Sequence, residues 1–92
     1  MDRTVECIAT LVGHEGDILS ITYHQSLPIM ATGSKDCTIK IWFLNEDGTI
    51  NRCGSTIKIK KSLFSQPYDI KFHPILPILV GVTSDRSVKI WK

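Results

Sequence analysis

Apolar and polar residues alternate in short runs along this chain, and turn residues separate the runs. Alternation with a period of two over about four to eight residues indicates β-strands, and no stretch sustains the period of an amphipathic helix. Along residues 38–42, Ile39 and Ile41 fall on one face of a strand and Lys40 and Trp42 on the other, so apolar groups occupy both faces. We therefore expect an all-β fold in which each sheet packs against a neighbour on both sides. The predicted strands are ECIATL (6–11), DILSITYH (17–24), IMATG (29–33) and TIKIW (38–42) in one set, and RCGSTI (52–57), YDIKFH (68–73), ILVGV (78–82) and SVKIW (87–91) in a second.

The second half of the chain repeats the first. Its two tryptophans, Trp42 and Trp91, are 49 residues apart, and they end the phrases ATGSKDCTIKIW and VGVTSDRSVKIW. The same shift superimposes His24 on His73 and Asp36 on Asp85, whereas the upstream segment matches at a shift of 46. Repeats of this period are typical of solenoids and propellers, in which one unit cannot bury its apolar surface alone.

With these motifs the chain resembles the WD-repeat (Trp-Asp) β-propeller family. The matching features are Gly13-His14, the Ile18, Ile21 and Tyr23 pattern, Ala31-Thr32-Gly33-Ser34, Asp36 and Ile39-Lys40-Ile41-Trp42. Two features depart from the family pattern. Phe43 and Lys92 stand where the naming Asp would follow Trp, and the second repeat lacks the Gly-His pair. The resemblance implies two four-stranded antiparallel blades of a β-propeller, which is either incomplete or part of an oligomeric ring. We expect residues 1–11 to form an outer strand that completes another blade, 12–57 the first blade and 58–92 a second, incomplete blade.

The resemblance also implies a buried hydrogen-bond relay. In it Trp42 donates to the Thr32 hydroxyl, Thr32 contacts the His14 ring, and His14 contacts the Asp36 carboxylate. The second repeat keeps Asp85 and Trp91 but has Gly81 at the position of Thr32. We therefore expect Asp85 to cap its own turn and the second blade to be the less stable one.

A catalytic interpretation of the same residues is the weaker alternative, with Thr32 as nucleophile and His14 as base. No oxyanion hole, glycine-rich phosphate loop or metal-ligand spacing accompanies them in the sequence. His24 and His73 occupy equal positions in the two repeats, so we interpret them as repeated turn residues rather than metal ligands. We expect no enzyme activity, no metal and no cofactor.

Composition narrows the class of protein further. With 42% apolar and 22% charged residues and a net charge of +2, the chain has an ordinary soluble composition and no strong electrostatic case for a nucleic-acid or membrane partner. Lys58, Lys60 and Lys61 form one basic cluster, which we interpret as a solvated strand face, with RNA binding as the alternative. Three cysteines without CxxC spacing and an N-terminus without a signal-peptide core favour a cytoplasmic protein, with the nucleus as alternative, rather than a secreted one.

The resemblance implies a scaffold or adaptor that binds proteins or peptides. The candidate contacts are loop residues near the relay and two aromatic residues beside Pro67 in a predicted loop, for which core packing is the alternative: Glu15, Asp17, Lys35, Ser84, Phe64 and Tyr68.

Two repeats are fewer than the roughly four blades of the smallest propellers. Three alternatives stay open at this point. The chain is a fragment or truncated remnant of a larger propeller without independent function, or a two-blade unit held by another protein, or it self-associates. In the last case three or four copies close a ring in which each N-terminal strand completes its neighbour's last blade.

Overall fold

The fold consists of seven short β-strands. The structure, a computed structural model, describes residues 5, 7, 10–46, 49–59 and 66–92. Within these residues no helix is long and apolar enough to cross a membrane. The strands are β1 (Ile18–Tyr23), β2 (Ile29–Ser34), β3 (Thr38–Leu44), β4 (Ile50–Lys58), β5 (Pro67–Phe72), β6 (Leu79–Thr83) and β7 (Ser87–Trp91).

The strands form two antiparallel sheets, of order β1-β2-β3-β4 and β5-β6-β7. The expected all-β class and antiparallel pairing are confirmed. The second sheet has three strands within the described residues rather than four.

Two expectations differ for RCGSTI: the grouping by repeat unit places it in the second set, whereas the blade bounds 12–57 place it in the first. The grouping by repeat unit is wrong on this point. RCGSTI lies in β4 and pairs with β3, so it belongs to the first sheet and not to the second. Because β4 takes the position beside β3, the first sheet has no place there for the predicted strand ECIATL. Its described residues Cys7, Thr10 and Leu11 are not in a strand, and Glu6, Ile8 and Ala9 lie outside the described residues.

Two hairpin turns share an uncommon backbone conformation. Cys37 in the β2–β3 turn has φ 64° and Arg86 in the β6–β7 turn has φ 69°. Each residue closes its turn by donating its N–H three residues back, Cys37 to the Ser34 carbonyl at 3.1 Å and Arg86 to the Thr83 carbonyl at 3.2 Å. A three-residue loop ending in a left-handed residue is a common hairpin connection, so the repeat preserves the backbone path although the side chains differ.

The hydrophobic core lies between the two sheets. Ala31, Ile39 and Ile59 from the first sheet side meet Ile70 and Leu79 from the second, and each is at most 5% exposed. Burying one isoleucine side chain in this way contributes roughly 1.5–3 kcal/mol. The packing of one sheet on the other is therefore the main interaction that joins the two repeats.

Candidate functional site

Two loops meet at one edge of the first sheet. β1 and β2 are antiparallel, so the segment before β1 lies beside the turn after β2, and Ile18 is opposite Ser34. The Lys35 N–H donates to the Asp17 carbonyl at 2.8 Å and links the two loops. We call this the relay edge; it comprises residues 13–17 and 34–38 and the corresponding second-sheet residues 66 and 83–87.

Four side chains form a continuous hydrogen-bond chain at the relay edge. The Trp42 Nε1–H donates to Thr32 Oγ1 at 2.9 Å, and Thr32 Oγ1 lies 2.6 Å from His14 Nε2. His14 Nδ1 lies 3.0 Å from Asp36 Oδ2. The ionised Asp36 carboxylate can only accept, so the neutral His14 ring donates from Nδ1 and its Nε2 accepts the proton of the Thr32 hydroxyl. The His14 proton is therefore on Nδ1, where it points to the carboxylate.

Burial of this chain decides what it can do chemically. Thr32 is 3% exposed and Trp42 is 6% exposed, and the His14 side chain is 3% exposed. The Thr32 oxygen is enclosed and already bonded on both sides, so no substrate carbonyl can approach it. The arrangement holds an outer strand to the loop before the inner strand and offers no nucleophile to solvent.

Asp36 is the most heavily hydrogen-bonded member of the relay. Burial alone would raise the pKa of this carboxyl, but the hydrogen bonds outweigh it and lower the pKa from 3.8 to about 2. The donors are the Thr38 hydroxyl and N–H, the Glu15 N–H at 2.9 Å, and His14. The carboxylate therefore ties the segment before β1 to the start of β3.

The described residues of the second sheet form no equivalent relay. Asp85 accepts the hydroxyls of Thr83 and Ser87 and the Ser87 N–H, and Lys89 Nζ lies 3.0 Å away, so the carboxylate caps its own turn. The hydrogen bond from the Ser87 hydroxyl, followed by those from Thr83 and Lys89, holds the pKa of Asp85 well below its usual range.

Trp91 is not joined to Asp85. A Cβ atom added to Gly81 would lie 2.9 Å from the Trp91 ring, so the indole lies in the space that a threonine at this position would fill. Its N–H has no hydrogen-bond partner among the described residues. The counterpart of His14 in sequence, Leu63, lies outside them.

The candidate partner contacts divide into three groups. Glu15, Asp17 and Lys35 are exposed at the relay edge, with Lys35 Nζ 3.7 Å from Asp17 Oδ2. Ser84 lies at the same edge in the second sheet, where it accepts the Gln66 N–H at 2.8 Å and donates its own N–H to the Gln66 carbonyl.

The aromatic candidates differ from the expectation. Tyr68 belongs to β5 rather than to a loop, because Pro67 and Asp69 on either side of it pair with β6. Its side chain is 55% exposed, so it does not pack in the core. Phe64 lies outside the described residues.

A cleft opens beside the relay. Its volume is about 350 Å³, and its lining includes Glu15 and Asp36 on one side and Lys40, Thr56 and Lys58 on the other. Lys40 Nζ lies 3.1 Å from Thr56 Oγ1. The relay edge therefore presents carboxylates and ammonium groups close together. Across the residues with defined positions, no cluster of three or more His, Cys, Asp or Glu side chains could hold a metal ion.

Sequence reasoning missed the hydrogen bonds that join the two sheets at the opposite edge. His24 Nε2–H donates to the Leu76 carbonyl at 2.9 Å, while its Nδ1 accepts the N–H groups of Ser26 and Leu27. The Ser26 hydroxyl donates to the Pro74 carbonyl at 3.1 Å. The recurrence of His24 as His73 was a usable signal for a turn, but the reach of the ring to the other repeat depends on how the sheets pack.

Comparison with known proteins gives a consistent family. The family model described as "WD domain, G-beta repeat" matches residues 5–42 and 55–92. The nuclear distribution protein nudF of Aspergillus flavus is 32% identical over 85 residues, which cover 90% of this chain and 17% of that protein. The ribosome biogenesis protein BOP1 homolog of Oryza sativa subsp. japonica is 30% identical over 96 residues, covering 98% of this chain and 14% of that protein.

The fold also has solved neighbours. The crystal structure of the computationally designed Ika4 protein superimposes with a TM-score of 0.68 at 24% identity, over 96% of this chain and 48% of that one. This similarity concerns the fold alone. The chain spans less than a fifth of the length of the two natural relatives.

Proposed function

Because the chain belongs to the WD-repeat family, we propose that it is a non-catalytic scaffold that binds a protein or peptide at the relay edge. Protein-interaction scaffolding is the general role of WD domains, and the family match gives no support to the alternative of a functionless remnant.

The choice of the relay edge as the binding surface rests on one observation. The backbone of the relay edge is fixed by buried hydrogen bonds, whereas the side chains of Glu15 and Lys35 are exposed and make few or no contacts that the fold needs. A rigid backbone with solvent-facing side chains of both charges binds a partner at low conformational cost, and fixed charges select its register. The charged cleft beside these residues fits a peptide segment with charges of both signs.

The test uses two charge-reversal variants on opposite edges. Glu15→Lys combined with Lys35→Glu reverses the relay edge and leaves the backbone hydrogen bonds in place. Glu46→Lys, at an exposed position in the loop after β3, is the matched control on the other edge. Quantitative mass spectrometry of proteins cross-linked to each variant should show partners retained by the wild type and by the control but lost from the double variant. Equal retention by all three would exclude the relay edge.

A catalytic role is not part of the proposal, since Thr32 is enclosed. RNA binding is the weaker alternative. Lys58 is exposed, but Lys60 and Lys61 lie outside the described residues. An electrophoretic shift with single-stranded RNA that weakens with salt would favour it.

From the sequence we expect the protein in the cytoplasm, with the nucleus as alternative. Fluorescence imaging of the tagged protein would test this expectation. Self-association into a closed ring is a separate proposal, which rests on the faces of the two sheets.

A further inference from the structure

The repeat gives each sheet a forward face and a rear face. The forward face of the first sheet packs on the second sheet and includes Ala31, Ile39 and Ile41. The rear face of the second sheet packs on the first and includes Ile70, Phe72 and Leu79. The 49-residue period places the corresponding residues on the remaining two faces. These are Val80, Val88 and Ile90 on the forward face of the second sheet, and Ile21, Tyr23 and Met30 on the rear face of the first.

Five of these six residues are exposed in a single chain, and Met30, at 3%, is the buried exception. Val88 and Ile90 are 67% and 69% exposed, although their counterparts Ile39 and Ile41 lie in or against the core. Ile21 is 59% exposed, whereas its counterpart Ile70 is 2% exposed. A contiguous apolar sheet face of this kind marks an interaction surface. Within the chain, the forward face of the first sheet already packs on the rear face of the second. The two exposed faces are the counterparts of these two packed faces.

A hydrogen-bond donor marks the forward face as well. His73 Nδ1 accepts the N–H groups of Ile75 and Leu76 at 3.1 and 3.0 Å, as His24 Nδ1 accepts those of Ser26 and Leu27. The proton of the neutral His73 ring is therefore on Nε2, the atom with which His24 reaches the Leu76 carbonyl. The His73 Nε2–H has no partner among the described residues.

The matching acceptor is present at the rear face. Leu27 is the first-repeat counterpart of Leu76, and both carbonyls accept an N–H two residues on, from Ile29 and Ile78, at 2.8 Å. Leu76 uses its second lone pair for His24. At the Leu27 carbonyl no described residue donates to the second lone pair, so this oxygen can accept a further hydrogen bond.

We propose that a second copy of this chain covers the forward face of the second sheet with the rear face of its own first sheet. The contact repeats the packing between the two sheets of one chain, and the His73 Nε2–H donates to the Leu27 carbonyl of the second copy. The interface is heterologous, so each added copy presents a new forward face, and the assembly closes as a ring or continues as a filament.

The contact between copies is the weaker of the two. Gly33 lies in close contact with Pro67, and its counterpart in the second repeat is Val82. Ser20 donates to the Pro67 carbonyl at 3.1 Å, and its counterpart is Asp69. The bulkier and charged replacements keep two copies further apart at this end of the interface. Association is therefore expected to depend on protein concentration, while the contact between sheets within a chain does not.

The test exploits the two different faces. Ile21→Asp blocks the rear face and Val88→Asp blocks the forward face, and analytical ultracentrifugation of the 92-residue chain follows the mass from about 10 to 500 µM. We expect the wild type to associate over this range and each variant alone to stay a monomer, because a copy needs one face of each kind to continue the assembly. An equimolar mixture should form a one-to-one dimer, since one intact face of each kind remains. His73→Ala should weaken wild-type association roughly five- to tenfold, the effect of about one interfacial hydrogen bond.

Controls keep the result decisive. Glu46→Lys, at an exposed position away from both faces, should associate as the wild type does. Far-UV circular dichroism must match the wild type for each variant, and Tyr23→Asp and Ile90→Asp replace any variant that fails this check. A monomeric wild type at every concentration, a variant that associates by itself, or a mixture that stays monomeric would each overturn the proposal.

Discussion

Replacing Asp36 by asparagine tests whether the relay stabilises the fold. The pKa of Asp36 is lowered from 3.8 to about 2 by the hydrogen bonds that its carboxylate accepts. A group with a depressed pKa contributes stability that is fully present above its unfolded pKa and is lost as the pH falls through the folded pKa. For Asp36 the loss therefore lies between about pH 4 and pH 2.

The contribution of Asp36 to the free energy of unfolding follows from the difference between its ordinary pKa and its pKa in the fold. A tenfold change in proton affinity corresponds to about 1.4 kcal/mol, so the lowering from 3.8 to about 2 corresponds to about 2.5 kcal/mol without screening. The carboxylate lies at an edge that faces water, and solvent screening reduces this to about 1 kcal/mol. We expect the free energy of unfolding of the wild type to fall by about 1 kcal/mol more than that of Asp36→Asn between pH 7 and pH 2.5.

Urea unfolding followed by tryptophan fluorescence at pH 7, 4 and 2.5 measures this difference. Asp17→Asn is the matched control, because the Asp17 side chain is 81% exposed and its Oδ2 lies 3.7 Å from Lys35 Nζ. It should keep the pH dependence of the wild type. Asp85 is unchanged in every variant, so its own titration cancels. Parallel pH profiles for the wild type and Asp36→Asn would show that the relay does not stabilise the carboxylate, and the physical account given above would be refuted.

Three further predictions concern the two sheets. At low micromolar concentration, His24→Ala should lower the free energy of unfolding by about 1 kcal/mol more than His73→Ala in urea titrations, because His24 bonds to the other sheet and His73 makes no such bond to a described residue. Equal losses would contradict this. Gly54→Ala should cost about 1–3 kcal/mol in melting experiments, because the new Cβ would overlap the Phe43 ring, whereas Gly13→Ala, with 3.5 Å to its nearest neighbour, should cost under about 1 kcal/mol. In hydrogen exchange, amides of β5–β7 should exchange faster than those of β1–β3, since these three strands and the turns between them form no relay; equal protection would contradict the expected difference.

Much of the fold could be predicted from the sequence because its signals are local. Alternation located all seven described strands to within two residues at each end, and the period of 49 identified the two units. Sheet membership was harder, since RCGSTI lies in the second repeat by sequence and in the first sheet by hydrogen bonding. A repeat marks where a pattern recurs along the chain, and it does not mark which strands share an edge.

Side-chain contacts within the relay could be predicted from the sequence, whereas contacts that depend on packing could not. The residues of the relay carry matching chemistry at fixed positions, and the structure brings His14, Thr32, Asp36 and Trp42 together. The placement of Trp91 over Gly81 could not be foreseen, because it depends on the space left by an absent side chain. The bond from His24 to Leu76 depends on the distance and angle between two sheets, which no short stretch of sequence encodes.

Glycine at the two left-handed turn positions would raise the free energy of unfolding. Cys37 and Arg86 adopt positive φ values of 64° and 69°, which cost roughly 1–2 kcal/mol for a residue with a Cβ atom. Glycine would remove that strain and would add about 0.5–1 kcal/mol of unfolded-chain entropy, so each replacement has a net gain of a few tenths to about 1 kcal/mol. Neither residue lies on a forward or rear sheet face. The two turns therefore allow the fold to be strengthened independently of association, so that a change in assembly can be told apart from a change in stability.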